Sequence, residues 1–522
     1  MPTYLSPGVY MEEVSAGPKP IEAVGTSTAA FVGFAERGPV NTPTLVTSWP
    51  QYTRTFGSFV DGAYLPLSMF NYFLNGGGNA YVVRVGADDQ SSNGSGNGSA
   101  PALVRYAEAQ LPAREGEGGA KMLTVRSQAP VEDAGGLSVE VLDASEGGDD
   151  HFKLQVLRDG NVVETFDNVG LKRGAQNVAT AVKQNSKLIV IEETKGGSLA
   201  LPGRGTVALA PQAEAPLPVV DVSADTYVGD VSDRTGFGGL EALEDVTMLV
   251  VPDAMSAYQR GALDDDGLKA VQLAMIAHCE LMSDRVAILD TPPGLNAQQV
   301  RDWRMDTAGY DSKYAALYWP WYQVMDPLTG QAVSMPPSGA MAGIWARSDE
   351  SRGVHKAPAN EPIRGALALD LNITKGEHDI LNPVGVNCLR TFPGQGIRVW
   401  GARTISSDAE WRYLNVRRLF NFVEKSILMG TNWVVFEPND PALWDRVRRT
   451  IVMFLRRVWQ SGALFGRTPA EAFFVKCDEE NNPPENRDAG ILTVEIGIAP
   501  VKPAEFVVFR LSQLSDGAAL EE

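Results

Sequence analysis

Residues 384–405, VGVNCLRTFPGQGIRVWGARTI, predict a β-hairpin around which the rest of the chain can be interpreted. In the first arm Val386 and Cys388 share one face, with the period of two that is typical of a strand. The connection at 393–396, PGQG, supplies a fixed φ and then permissive residues, and a second arm follows at 397–404. A lone two-stranded hairpin is marginal in water and has two open edges, so the sequence predicts that further strands pair with it.

Composition sets the size class and the charge class of the protein. A chain of 522 residues with 44% apolar residues predicts about three or four globular domains. The net charge of -19 argues against a general nucleic-acid binder. The balance is uneven, because residues 88–150 carry 12 acidic and 4 basic side chains whereas residues 403–467 carry 11 basic and 6 acidic. The second region is therefore expected to face an acidic partner.

The cysteines and the amino terminus indicate the compartment. Cys279, Cys388 and Cys477 are far apart and each lies in an apolar run, which is typical of reduced core thiols. The first residues, MPTY, have no leader-like pattern, and no run of 18 apolar residues occurs. The expectation is folding in a reducing cytoplasm without insertion into a membrane.

The order of predicted elements indicates an α/β fold of mixed α+β type. Apolar runs at 29–34 and 81–85 flank a helical pattern at 65–74, and the same alternation resumes after residue 246. Strands separated by helices predict a largely parallel sheet that is covered on both faces. The stretch 88–225 instead has short alternating runs and predicts a β-rich insertion, which the slow growth of loop-closure cost allows.

These patterns divide the chain into five parts. They are an N-terminal arm (1–20), an α/β middle domain (21–87 and 226–365), an inserted β-rich domain (88–225), a C-terminal domain (366–503) and a C-terminal arm (504–522).

The C-terminal domain is expected to contain two well-marked helices. Ser407 with Glu410 forms a capping-box pattern for a helix that ends at Gly430, and Asp440 precedes a second helix with Pro441 at its first position. Strands are predicted at 433–436, 473–476 and 491–498. The second helix is two-faced: its apolar side is Leu443, Val447, Ile451, Phe454, Leu455 and Val458, and an opposite arc of about 100° holds Arg446, Arg449, Arg456 and Arg457.

The arginine arc has three interpretations, ranked in this order. It is a solvated surface, a contact with an acidic protein, or a contact with nucleic acid, the last disfavoured by the overall negative charge.

No pattern in the sequence predicts catalysis, a cofactor or a metal site. The four histidines have no ligand spacing, and the chain lacks HExxH, CxxC and the phosphate-loop GK[ST] motif. Asp264, Asp265 and Asp266 precede a helix and are expected to serve its dipole, and His278 is expected to pack in a core. The chain is therefore not expected to be an enzyme.

Several segments resemble the contractile tail sheath family. They are PTYLSPGVYMEEV (2–14), AAFVGFAERGP (29–39), SRGVHKAPANEPIRGA (351–366), LNPVGVNCLRTFPGQGIRVWGARTI (381–405) and WRYLNVRRLFNFVEKSI (411–427). The resemblance covers roughly 1–85 and 246–511. Within the family, the sequence is most similar in organisation to the sheath subunits of phage-tail-like contractile injection systems.

The resemblance implies a structural subunit that polymerises helically around an inner tube and contracts to drive the tube through a target envelope. The inserted domain would lie outside, and the C-terminal domain would lie inside and carry the polymerisation and tube contacts. Partners would be other copies of the chain, the inner tube protein, and baseplate and terminal cap proteins, with neither nucleic acid nor membrane. Assembly would take place in the bacterial cytoplasm, as part of a phage tail or a phage-tail-like particle.

In such a sheath the terminal arms donate strands to a sheet of neighbouring subunits. The matching strand-exchange residues are Val9, Tyr10, Met11, Val14, Val386, Cys388, Ile397, Val399, Val494, Ile496, Phe506, Val508 and Phe509. The inner-tube contacts would be Arg446, Arg449, Arg456 and Arg457. Residues 17–20 and 500–503 would act as hinges beside the arms.

Two other classes of protein remain as alternatives. One is a tube or baseplate component of the same machine, which the length and the paired arms disfavour. The other is a cytoplasmic α/β enzyme with the aromatic strand at 314–322 as a pocket wall, which the missing catalytic spacing disfavours.

Overall fold

The computed structural model describes residues 20–60, 62–86, 106–111, 123–130, 136–145, 151–158, 160–172, 176–192, 201–211, 222–327 and 329–509. The strands are β1 (Ala29–Gly33), β2 (Thr44–Val46), β3 (Ala80–Arg84), β4 (Tyr106–Leu111), β5 (Leu123–Pro130), β6 (Leu137–Asp143), β7 (His151–Arg158), β8 (Asn161–Gly170), β9 (Ile189–Glu192), β10 (Gly205–Ala208), β11 (Ala210–Pro211), β12 (Met248–Val250), β13 (Val286–Asp290), β14 (Ala315–Trp319), β15 (Tyr322–Met325), β16 (Ala332–Met335), β17 (Ala366–Leu369), β18 (Val386–Phe392), β19 (Gly396–Val399), β20 (Phe473–Lys476) and β21 (Glu495–Ile498). The helices are α1 (Trp49–Phe56), α2 (Tyr64–Leu74), α3 (Val178–Asn185), α4 (Ala224–Val228), α5 (Asp253–Gln259), α6 (Asp265–Met282), α7 (Ala297–Asp302), α8 (Ser338–Arg352), α9 (Lys375–Leu381), α10 (Leu414–Gly430), α11 (Pro441–Gln460), α12 (Pro469–Ala472) and α13 (Pro484–Asp488).

A mixed sheet of eight strands is the centre of the α/β part. Its order is β19-β18-β14-β13-β12-β1-β3-β2, with parallel pairs from β18 to β3 and antiparallel pairs at the two ends. The middle strands are apolar along their length because helices cover both faces. Ala30 and Val32 of β1 face one apolar core, and Ala29 and Phe31 face the other. The predicted α/β fold class is confirmed.

The predicted hairpin at 384–405 exists, but its surroundings differ from the expectation. β18 and β19 pair antiparallel through the predicted turn, with Leu389 opposite Val399. The start of β18 also pairs with β14, placing Val386 opposite Leu317 and Cys388 opposite Trp319. The hairpin is therefore one end of the large sheet and does not belong to a C-terminal domain that begins at residue 366.

The outer edge of β19 is occupied as well. The Asn360 and Ile363 amides donate to the carbonyls of Val399 and Ile397, and the Val399 amide donates to the Glu361 carbonyl. Strands and loops of the same chain already pair with Val386, Cys388, Ile397 and Val399, so these residues do not offer open edges in this structure, and their role in strand exchange stays a prediction.

A buried polar residue explains why the sequence was misleading. Asn387 gives β18 the alternating pattern of a half-exposed strand, yet it is buried. Its side chain accepts a hydrogen bond from the Arg403 amide at 2.7 Å and donates one to the Arg403 carbonyl at 2.8 Å. A satisfied buried amide cannot be told from a solvent-facing one by periodicity alone.

Two further predictions in the C-terminal region are wrong. Ser407 does not cap a helix, because α10 begins only at Leu414 and the Ser407 hydroxyl and amide instead bind the Asp311 carboxylate. The segment 433–436 is not a strand, because Asn432–Val434 forms a turn of 3-10 helix and Phe436 adopts a φ of +67°.

The described parts of the insertion are built from β-strands. They form two antiparallel four-stranded sheets, β10-β6-β7-β8 and β11-β4-β5-β9, which enclose one apolar core with α3. The β-rich character predicted for this region is present, whereas its bounds at 88–225 and its outer position stay predictions.

Among the described residues, the helices are all too short or too polar to cross a lipid bilayer.

Asp290 provides a pH-dependent contribution to stability. Asp290 is the last residue of β13, and its buried carboxylate accepts hydrogen bonds from the Ser338 amide and hydroxyl at the start of α8. Burial raises the pKa of Asp290 to about 7, although the Ser338 hydrogen bonds lower it. The folded state therefore holds a proton that the unfolded state, with a pKa of about 3.9 for Asp, releases. This contribution is present at low pH and is lost as the pH rises through about 7.

We expect Asp290→Asn to remove this dependence, since an amide keeps both hydrogen bonds and carries no charge. The free energy of unfolding of the variant should rise relative to wild type between pH 5 and pH 8, by about 1.4 kcal/mol for each pH unit between pH 5 and the folded pKa of about 7. Urea unfolding at both pH values measures the difference. A difference that is constant with pH would show that Asp290 is already ionised at pH 5.

Candidate assembly interface

A small apolar core holds the C-terminal elements together. α10 and α11 pack against β20 and β21, and the predicted apolar side of α11 is buried in this core. The helix begins as its sequence predicts, with Pro441 in the first turn and the Asp440 carboxylate accepting from the Leu443 amide at 2.7 Å. These confirmed local signals fix the position of the elements around the candidate interface.

The pair β20–β21 has the open edges that were expected of the earlier hairpin. Phe473 lies opposite Ile498 and Lys476 opposite Glu495, and no third strand joins them within the described residues. One face of the pair packs on the small core, while Phe474 on the other face remains 58% exposed. A two-stranded sheet of this kind is marginal alone and presents unpaired N–H and C=O groups to water. Of the predicted exchange residues, Ile496 lies in β21 and Val494 directly precedes it.

The C-terminal segment 506–509, FVVF, is apolar and exposed. Phe506 is 73% exposed and Phe509 is 85% exposed, and the two valines between them are similarly exposed. Four consecutive apolar side chains in water are unfavourable, so this segment requires a partner surface. The predicted exchange residues Phe506, Val508 and Phe509 are therefore accessible in the isolated chain. Val9, Tyr10, Met11 and Val14 lie outside the described residues.

The first and last described segments of the chain are each held by specific contacts. Ile21 is buried in it, close against Gly430, where a Cβ atom would lie 2.6 Å from Ile21 Cγ1. At the other end Glu505 binds the guanidinium of Arg403, with 2.8 Å from Nε to Oε1 and 2.6 Å from Nη2 to Oε2. Sequence reasoning missed this ion pair, because the two residues are far apart in the chain and no local pattern links them.

The arginine arc of α11 is only partly free. Arg446 pairs with Glu437 at 3.2 Å, and Arg457 donates to the Ile21 carbonyl at 3.4 Å. Arg449 donates to a carbonyl of its own helix, and neither Arg449 nor Arg456 has a carboxylate partner among the described residues. These two guanidinium groups therefore remain available to an external anion.

Part of the basic excess of residues 403–467 is used inside the chain. Arg418 of α10 binds Asp349 of α8 at 2.6 Å, and both side chains are almost fully buried. Lys425 of α10 binds Asp284, between α6 and β13. These buried ion pairs join the small C-terminal core to the eight-stranded part, so some of the positive charge expected to face an acidic partner is neutralised within the chain.

The other candidates for chemistry have structural roles. His278 is packed against Phe237 and Arg285, and burial lowers its pKa to about 4. Asp264 caps α6 by accepting from the Gly267 amide at 2.8 Å. In the described ranges no three His, Cys, Asp or Glu side chains are grouped so as to hold a metal ion.

Comparison with known families matches two adjoining parts of the chain. Residues 238–405 match the phage tail sheath protein central domain, and residues 406–513 match the phage tail sheath C-terminal domain. Together the two matches cover just over half of the chain, and they meet directly after the β18–β19 hairpin.

Known proteins are similar over different shares of their length. The tail sheath protein of Burkholderia phage BcepMu is 23% identical over 98% of this chain and 97% of its own. The tail sheath protein of Vibrio phage KVP40 is 25% identical over 45% of this chain. The matched part covers only 36% of the length of that protein. Among solved structures, the helical sheath of the anti-feeding prophage in its contracted state is similar with a TM-score of 0.59 and 23% identity, covering 98% of this chain and 100% of that chain.

The Arg418–Asp349 pair allows a test of how the two parts are joined. We expect Asp349→Ala to cost about 3–5 kcal/mol of unfolding free energy, because it leaves Arg418 buried without an anion. Urea unfolding followed by tryptophan fluorescence measures the loss, since Trp345 lies under the Arg418 guanidinium. The exposed neighbour Glu350→Ala is the matched control and should stay close to wild type. An Asp349→Ala variant as stable as the control would contradict the assignment.

Proposed function

Because the chain belongs to the contractile tail sheath family, we propose that it polymerises helically around an inner tube by exchange of β-strands between subunits. Contraction of the polymer then drives the tube through a target envelope. The related proteins are structural subunits rather than enzymes. The single observation that carries the proposal is the coexistence of an open two-stranded sheet, β20–β21, and an exposed apolar segment at 506–509.

Donor and acceptor are different surfaces of one chain, and this determines the kind of assembly. A contact between two different surfaces is heterologous, so it leaves one donor and one acceptor uncovered unless two copies exchange strands reciprocally. Each added subunit brings one new donor and one new acceptor, and the result is a ring or an open helix. A strand donated to β20 or β21 is β-augmentation, in which backbone bonds give affinity and alternate side chains choose the register.

One donated strand contributes a modest binding free energy, and the total increases with the number of strands that hold each subunit. Each backbone hydrogen bond contributes about 0.5–1.5 kcal/mol net. Full burial of a Phe or Val side chain contributes about 1.5–3 kcal/mol. In a lattice every subunit is held by several such strands at once, so dissociation requires all of them to release together.

The free arginines of α11 support a contact with the inner tube. Arg449 and Arg456 expose positive charge on a chain of net charge -19, and a tube with an acidic outer surface would be attracted to this helix. Arg446 and Arg457, which already have partners in the chain, would lie beside that contact. The arc is thus proposed as the tube-facing surface of the sheath.

The exchanged strands would also allow the sheath to contract. If the arms stay paired while the subunits rotate as rigid bodies, the lattice can change from a metastable extended form to one that buries more surface. The free-energy difference supplies the work, and nucleotide hydrolysis is not required. Baseplate and terminal cap proteins are proposed as further partners, because the two ends of such a polymer leave donors and acceptors uncovered.

The proposed site of assembly is the bacterial cytoplasm, from which the completed phage tail or tail-like particle is released. The three buried cysteines are all free thiols, which suits a reducing compartment.

Deletion of residues 1–15 is expected to leave a folded monomer that does not polymerise, because the N-terminal donor strand is lost. Negative-stain microscopy and sedimentation measure the polymer, and circular dichroism checks the fold. Long tubes formed by the truncated protein would refute the role of the N-terminal arm.

Charge reversal tests the tube contact. Arg449→Glu with Arg456→Glu should reduce co-sedimentation with the inner tube, while self-assembly of the sheath is retained, because these side chains lack carboxylate partners in the described chain. The loss should grow when salt is lowered, since repulsion is then less screened. Arg448→Glu is the matched control on the same helix, because Arg448 already pairs with Asp445 at 2.6 Å. Equal effects of the double variant and the control would contradict the proposal.

A further inference from the structure

The chain does not leave the small domain where β21 ends. Beyond Ile498 the Ala499 amide donates to the Ala472 carbonyl at 2.9 Å, and the Ala499 carbonyl accepts from the Phe465 amide at 2.8 Å. The Val501 amide then donates to the Ala463 carbonyl at 3.2 Å. Residues 499–501 are therefore a continuation of the strand and are not a hinge, contrary to the expectation for 500–503.

A second anchor follows at Glu505. Besides its two bonds with Arg403, the carboxylate accepts from Asn382 Nδ2 at 2.8 Å and from the Tyr413 hydroxyl at 3.2 Å. The side chains of Arg403 and Glu505 are only 9% and 20% exposed. Burial raises the pKa of Glu505, but the bonds from Arg403 and Asn382 outweigh it, so the pKa of the carboxyl is lowered overall. The carboxylate thus accepts four hydrogen bonds from three residues.

The groups that hold Glu505 belong to the large α/β part and to the start of α10. Asn382 directly follows α9, Arg403 follows β19, and Tyr413 precedes α10. Arg403 is itself fixed to β18 by the two backbone bonds with Asn387. The C-terminal chain therefore starts in the small domain and is fastened to the edge of the eight-stranded sheet before it becomes free.

We propose that Arg403 is a positioning residue for the donated C-terminal strand, holding Glu505 so that residues 506–509 leave the subunit at a fixed place and in a fixed direction towards a second copy of this chain. The inference rests on the proposed strand exchange and adds the residue that aims the strand. Glu505 is the last anchored residue of the described chain, since every side chain from Phe506 to Phe509 is exposed.

Loss of the Arg403–Glu505 ion pair would lengthen the unanchored C-terminal chain. With the ion pair in place the free part up to Phe509 has the four residues 506–509, and without it the free part begins after Val501 and has the eight residues 502–509. Effective concentration at an acceptor falls roughly as the −3/2 power of tether length, so a doubled tether lowers it about threefold. Loss of direction adds to this loss.

The Arg403–Glu505 ion pair also links the start of the donated strand to the eight-stranded sheet. Because Arg403 is bonded to β18, a rotation of the α/β part moves the root of the donated strand with it. The strand accepted by a neighbouring copy would then transmit the orientation of one subunit to the next.

Glu505→Gln in the full-length chain tests the inference, and Arg403→Lys, which keeps the charge but loses the bidentate geometry, is a second variant. We expect both to raise the critical concentration for polymerisation at least about threefold, as measured by sedimentation. A fluorophore on Val508→Cys, observed below that concentration, should show lower residual anisotropy in both variants. Circular dichroism should show that both variant monomers remain folded at the temperature of the assay.

Glu361→Gln is the matched control. Its carboxylate pairs with Lys356 at 2.9 Å and is 24% exposed, similar to Glu505, but it does not touch the C-terminal chain. This variant should match wild type in critical concentration and in anisotropy.

The outcomes separate the inference from the proposed function. If deletion of the residues after Glu505 leaves polymerisation unchanged, strand donation by this segment is wrong and the inference falls with it. If that deletion abolishes polymerisation while Glu505→Gln and Arg403→Lys keep the wild-type critical concentration, strand donation stands and the positioning role of Arg403 is overturned.

Discussion

Backbone hydrogen bonding at β20–β21 is the constraint on which the account of this protein depends. The pair is supported by an apolar core on one face, yet both of its edges lack a neighbouring strand within the described chain. The same chain carries an exposed apolar segment at 506–509, and exchange of strands between copies is proposed to cover these open edges.

A donated strand can hold two subunits in a defined orientation only if the residue from which it leaves its own subunit is fixed. Ile21 is buried in the small core, and Glu505 is held by Arg403, so each arm emerges from an ordered point. The core in turn is joined to the eight-stranded sheet by buried ion pairs of α10, of which Arg418 with Asp349 is the more deeply buried. These contacts connect Ile21 and Glu505 to the eight-stranded sheet.

Local signals made part of this structure predictable. The apolar runs of the central strands, the Asp440–Pro441 start of α11 and the β20 strand follow from burial and capping alone. What failed depended on partners distant in sequence. The partner of Asn387, Arg403, follows β19 and could not be inferred from the alternating pattern, and Ser407 was predicted as a helix cap because its partner Asp311 is distant in the sequence. The edges of the 384–405 hairpin are therefore occupied within the chain, whereas those of β20–β21 are open, and the role of either sheet in strand exchange stays a prediction.

Hydrogen exchange of the β20, β21 and 506–509 amides, compared between monomer and assembled sheath, tests the central claim most directly. Edge amides without partners exchange rapidly in the monomer and become protected when a neighbouring strand bonds to them. If strands are exchanged, protection should appear in both regions on assembly, together and to a similar degree. An assembled sheath in which these amides exchange as fast as in the monomer would contradict it.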